Sequence, residues 1–297
     1  MSLTTAHHSP GSFALRTLRP RHQNGGLAAP LLYAAIAVLT TSSAVRAQCV
    51  NPPTGSIVAW YAFNETIPNL SENWATQNTG RWSTSEPTPV PGMVFGALSF
   101  NGVDNYLDSN DSVVTNFGPA GSSSTCSGGF FSSCTGDFSF DAWVNIPAYP
   151  SLPMTIIDKR AFEVSSPIGY SIYINGSRIG LQLADGTGAV GYDNYDSPNL
   201  RKFTLNAWHH IAITVKRTTF IHYYLDGVLV GQAVPAHQGS LSSVSIFRIG
   251  ANGPSNPSAS SFFRGMLDEV DLYNRVLTTA EVQAIYAAGS NGKCSGH

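Results

Sequence analysis

The sequence predicts an all-β fold of antiparallel strands with one short C-terminal α-helix. Three observations carry that prediction. Apolar residues alternate with a period of two almost everywhere after Ile57, the mark of half-buried strands. Asn-Gly and Asp-Gly dipeptides separate the alternating segments. Helical periodicity emerges only near the C-terminus.

The chain opens with Arg16, Arg19 and Arg21 and no acidic residue, followed by the apolar run Leu27–Leu39 and then Val45-Arg46-Ala47. Basic, then apolar, then small-x-small is the order of a secretory signal peptide. Its apolar core is shorter than the ~20 residues of a membrane span. Residues 1–47 are therefore read as a leader. Residues 48–297 form one domain with no membrane span, secreted or held at the cell surface or in a periplasm.

In Phe138–Ile146, one face carries Phe138, Phe140, Ala142, Val144 and Ile146, and the other Ser139, Asp141, Trp143 and Asn145. His209–Val215 alternates in the same way. Asn175-Gly176 lies between Ile168–Ile174 and Arg178–Ala184, and Asp226-Gly227 between Phe220–Leu225 and Val228–Val234. Both dipeptides tolerate positive φ at the two centres of a tight hairpin, so they predict antiparallel neighbours. Asn101-Gly102 predicts a third pairing, of Met93–Phe100 with a short strand around Tyr106. Thr278-Thr-Ala-Glu281 is a capping box, with Val282, Ile285 and Tyr286 as the buried stripe and Gly289 as the stop. This helix is expected across an edge or end of the fold. The polar stretch 64–92, which holds Trp74 and Trp82, and the Ser/Gly-rich stretch 118–136 read as loops.

Charge and cysteines narrow the function. The leader's four arginines leave 12 of the 16 basic residues against 18 acidic ones, a formal charge near −6. Such a chain lacks the basic footprint of a nucleic-acid binder. Cys49, Cys126, Cys134 and Cys294 in an exported chain imply disulfides, with three possible connectivities. Cys126–Cys134 would close a short loop. No Cys-x-x-Cys pair or nearby histidine points to zinc.

Six segments in order resemble the laminin-G-like jelly roll family of the concanavalin A-like lectin and glucanase group. They are Ile57–Phe63, Gly96–Leu107, Phe138–Val144, Trp208–Thr214, Tyr224–Gly227 and Phe263–Leu277. The resemblance implies a two-sheet antiparallel β-sandwich whose first and last elements lie side by side, which implies Cys49–Cys294. It also implies a structural Ca2+ near one rim, with Asp104 and Asp268 as carboxylate ligands, although Asn69–Asn73 stands where the family carries an acidic residue. Glucanases of the group use Glu-x-Asp-x-(x)-Glu. Here Glu269 and Asp271 match the first half, but Tyr273 or Asn274 occupies the acid position, and neither serves as a general acid at neutral pH. The two carboxylates then read as a surface-facing pair on a strand that buries Val270 and Leu272.

No nucleophile or phosphate-loop motif occurs, so a non-catalytic binding module is expected. The favoured partner is a glycan; the alternative is a surface or matrix protein, with a sandwich-type glycosidase third. Tyr192, Asp193, Asn194 and Tyr195 are binding candidates because tyrosine rings stack on sugars while Asp and Asn bond to hydroxyls. Trp74 and Trp82 are either ligand platforms or the core of their own loop. Asp141 and Trp143 share a face that could line a groove, but Trp143 is expected to pack against the neighbouring strand. His209 and His210 point to opposite faces and cannot chelate one ion together.

Overall fold

The computed structural model describes residues 48–294 except 54, 65–69, 77, 84, 110–113, 123–134, 162–165, 189–190, 201–202 and 254–259. All described residues lie in one unit, Arg46–His297. In chain order its strands are β1 (Ile57–Tyr61), β2 (Leu70–Asn73), β3 (Asn78–Trp82), β4 (Thr88–Pro91), β5 (Gly96–Asn101), β6 (Leu107–Ser109), β7 (Phe138–Asn145) and β8 (Met154–Asp158). They continue with β9 (Ile168–Asn175), β10 (Arg178–Asp185), β11 (Tyr192–Asp196), β12 (His209–Lys216), β13 (Phe220–Leu225), β14 (Val228–Ala233), β15 (Phe247–Ile249) and β16 (Arg264–Tyr273), before helix α1 (Thr279–Ala288).

Alternation in the sequence becomes two sheets facing each other across one core. The first runs β14-β13-β12-β7-β16-β5-β4, with β1 also on β16; the second runs β11-β10-β9-β8-β15-β6-β3-β2. Pairings throughout both sheets are antiparallel. Phe138, Phe140, Ala142 and Val144 of β7 meet Tyr170, Ile172 and Ile174 of β9 and Leu181 and Leu183 of β10 in the buried cluster between the sheets. Burial of such apolar area, worth about 25 cal/mol per Å2, dominates the stability.

The hairpin turns depart from expectation in detail. Asp226-Gly227 has positive φ at both centres, 50° and 72°, as predicted. The β9–β10 loop is shifted by one residue: Asn175 pairs with Arg178, so Gly176-Ser177 form the turn and Asn175 stays in the strand. Asn101-Gly102 makes no hairpin at all, because β5 belongs to the first sheet and β6 to the second. The Asn101 side chain instead accepts from the backbone N–H of Val103 (2.8 Å) and Asp104 (3.2 Å), which turns the chain across the sandwich.

Helix α1 begins on the expected capping box, with the Glu281 N–H donating to Thr278 and the Thr278 N–H to the Glu281 carboxylate. Its place differs from expectation. It packs on the outer face of the first sheet, where Leu277, Val282 and Ile285 cover Ala212, Tyr224 and Tyr273. Ala288 completes the buried stripe; Tyr286 is 37% exposed and lies over Trp143, with ring centroids 5.8 Å apart.

Cys49 and Cys294 are bonded, with Cα atoms 4.9 Å apart. The adjoining Val50 and Lys293 form a parallel bridge, and the Cys294 N–H donates to the Val50 carbonyl (2.8 Å). The two ends of the described domain thus lie together. The pairing Cys126–Cys134 falls outside the described residues.

Candidate functional site

The outer face of the first sheet has a covered end and an open end, and β16 sets up both. Along one edge β16 first pairs with β5 (Arg264 to Leu267) and then with β1 (Val270 to Tyr273). The handover coincides with a bulge between Asp268 and Asp271 on the β7 side. Glu269 sits in the bulge with φ of 50°, a left-handed conformation uncommon for a side chain with Cβ. The extra residue keeps Leu267, Val270 and Leu272 in the core and turns Asp268, Glu269 and Asp271 to the outer face.

The covered end seals those carboxylates. Glu269 is 2% exposed and Asp271 fully buried, so the surface-facing reading of this pair is corrected. Lys293 lies between them, with Nζ 2.7 Å from Glu269 and 2.5 Å from Asp271. Trp60 Nε1 also donates to Glu269 (3.0 Å). Their oxygens therefore stand no more than about 5 Å apart, close enough for a pair of the retaining type. A buried lysine thus pairs with both carboxylates, and it is carried by the segment that the disulfide ties down. The Lys293 amine is held well above the usual range by Asp271 and Glu269 despite burial, which acts the other way. Asp141 is taken by the Nε2 of His210 (2.9 Å), and Trp143 packs on His210 and Tyr286. Trp143 thus packs on the neighbouring strand β12, as expected, and Tyr286 of the helix lies over it in place of a groove.

The open end begins one row further on. Ser99 (β5), Met266 (β16) and Asn145 (β7) occupy one register row, with Asn101 and Arg264 in the next. Together with Pro147 and Asn206 they line a cleft of about 370 Å3. The backbone N–H of Asn206 donates to the Ile146 carbonyl (2.9 Å), which pins its loop over the rim. Gly265 (φ 142°) lets β16 lie against β7, since a Cβ there would meet the Asn145 carbonyl at 2.5 Å. Three amides, a hydroxyl, a guanidinium and two apolar surfaces converge here. A second cleft of about 550 Å3 lies between Leu200, Leu225, Val228, Val230 and Tyr286, with Asn199 and Asp226 also on its wall.

The residues singled out from sequence are not brought together. Tyr192 and Asn194 share the outer face of the second sheet, where Asn194 accepts from Gln182 (2.7 Å). Asp193 and Tyr195 alternate to the other side: the Tyr195 hydroxyl accepts from the Ala236 N–H (2.8 Å), and its ring packs against the core. Strand geometry splits the four between two faces. Trp82 faces inward between Phe63 and Phe100, and Trp74 leans on Trp60. Both tryptophans serve packing. His209 bonds to Asp226 and Thr204, while His210 lies on the opposite face.

Asp104 and Asp268 do not fit one shared calcium ion. Asp104 extends beyond Asn101, which pairs with Arg264, whereas Asp268 lies four residues further along β16, about 13 Å at strand rise. Asp268 is buried and accepts from the Val94 N–H (2.8 Å), and burial pushes its carboxyl up to about 8. Asp104 is exposed and accepts from Asn101 Nδ2 (2.7 Å).

A family profile described as the concanavalin A-like lectin/glucanases superfamily matches residues 117–283, more than half the chain. The chain belongs to the concanavalin A-like lectin/glucanase superfamily. Solved structures agree with this sandwich. The binding domain of Paraclostridial Mosquitocidal Protein 1 is similar over 78% of this concanavalin A-like chain and 52% of its own, at 14% identity and a TM-score of 0.58. The binding domain of botulinum neurotoxin serotype G is similar over 77% and 50%, at 14% identity and a TM-score of 0.53. The chain spans about half the length of these domains, and at such identity the likeness is one of fold. No curated protein sequence matches the chain.

Proposed function

We propose that this chain is an exported, non-catalytic glycan-binding module. The observation that carries the reading is the amide-lined cleft on the outer face of the first sheet. Amide and hydroxyl side chains donate to and accept from sugar hydroxyls, while Met266 and Pro147 offer apolar surface to the C–H face of a ring. Two further facts support it. The fold is used by the binding domains of two toxins, and the carboxylate pair a glycosidase would need is locked on Lys293. Export rests on the leader and fits the Cys49–Cys294 bond.

A glycan-array screen of the purified protein, followed by calorimetry, tests the reading. Binding is expected, and Asn145→Leu should weaken it while Glu269→Gln leaves it unchanged. Hydrolysis of any bound polysaccharide, abolished by Glu269→Gln, would overturn the non-catalytic part; an array without a single ligand would overturn the glycan part.

A further inference from the structure

We infer that the cleft selects a sugar bearing a carboxylate, with Arg264 as its charge partner and Asn145 as the hydroxyl-reading group at the floor. This inference rests on the glycan reading and narrows it.

Asn145 is 7% exposed, and its side-chain amide has no hydrogen-bond partner among the described residues. It alternates with the core residue Val144, so it points outward, into the cleft that it lines. The amide therefore reaches solvent through the cleft and is free to bond a ligand there. A sugar hydroxyl both donates and accepts, so it can meet both the oxygen and the nitrogen of this amide.

Arg264 supplies the charge. Its guanidinium has no hydrogen bond or ion pair among the described residues. Arg264 is exposed, whereas the buried or half-buried Arg160, Arg217, Arg248 and Arg275 are engaged on carboxylates or carbonyls. Its stem lies over the Asn101-Gly102 turn, where a Cβ on Gly102 would meet the Arg264 Cβ at 2.8 Å and Cγ at 3.2 Å. Gly102, at φ of 76°, thus makes room for the stem and sets where the guanidinium stands. No carboxylate side chain lines the cleft among the described residues, and Asp104 in the same turn is taken by Asn101. A planar guanidinium free of protein partners matches a carboxylate bidentately. The chain carries a net negative charge, which gives an acidic glycan no long-range attraction. Selection is therefore local, exerted by Arg264 at contact.

The test is calorimetry of the purified protein with oligosaccharides of galacturonate, glucuronate and sialic acid, each beside its methyl ester, which removes the charge and keeps the ring. At least one acid is expected to bind about tenfold or more tighter than its ester, the worth of one charge-assisted contact. Arg264→Gln should erase that ratio. Asn145→Leu should weaken acid and ester alike without lowering the melting temperature. Equal binding of every acid and its ester, or a ratio that survives Arg264→Gln, overturns the inference and leaves the glycan reading standing. Binding of no glycan, charged or neutral, overturns both.

Discussion

At the scale of single residues, the protein tolerates several polar groups in places that disfavour them, and each has an identifiable arrangement around it. Lys159 is fully buried, with its amine donating to the carbonyls of Ser243 (3.0 Å) and Ser245 (3.2 Å). Burial pushes it down to about 7. A lysine whose folded value lies below its unfolded one adds stability that is full above the unfolded value and lost as pH falls through the folded one. Stability should therefore decline as pH drops from about 10 to about 7. Lys159→Met should remove that slope. Urea midpoints for parent and variant across the window check it, and parallel curves would refute it. Comparing the two also cancels the opposite slope of Asp268, whose raised value makes stability fall as pH climbs from about 4 toward 8.

Among elements, the helix and β16 carry most of the functional consequence. The bulge in β16 turns three acidic side chains outward, α1 packs on the same face, and Lys293 in the segment that the disulfide ties down pairs with Glu269 and Asp271. The capping box fixes where the helix starts, and Arg275 bonded to Glu281 reinforces it. Thr278→Ala should cost about 1 kcal/mol, lowering the melting temperature by about 2–4 °C in a domain of this size. Scanning calorimetry would show it. Because the cleft lies at the uncovered end, the same variant should bind glycan as the parent does.

For the whole molecule, the Cys49–Cys294 bond closes nearly the entire domain, 245 residues apart in sequence. It holds Lys293 over Glu269 and Asp271. Chain entropy sets its worth at up to about 5 kcal/mol. Replacing both cysteines by serine should lower the urea midpoint accordingly. An unchanged midpoint would mean that the bridge between Val50 and Lys293 suffices by itself.

The local sequence determined the strand alternation, the Asp226-Gly227 hairpin and the capped helix, because each depends on neighbours a few residues away. It also placed Asn145 on the outward face of its strand. The tertiary structure alone decided what lies beside that face. Ser99, Asn145 and Met266 are far apart in the chain and meet only because β5, β16 and β7 are neighbours in one sheet. Tyr192–Tyr195 shows the converse: adjacency in sequence puts alternate side chains on opposite faces, so a contiguous polar-aromatic motif dissolves once the strand forms. Glu269 and Asp271 were legible as a carboxylate pair, but whether they meet solvent depended on Lys293, which a disulfide and a parallel bridge bring over them. Charge neutralisation in the interior is a property of packed partners, and no local pattern encodes it.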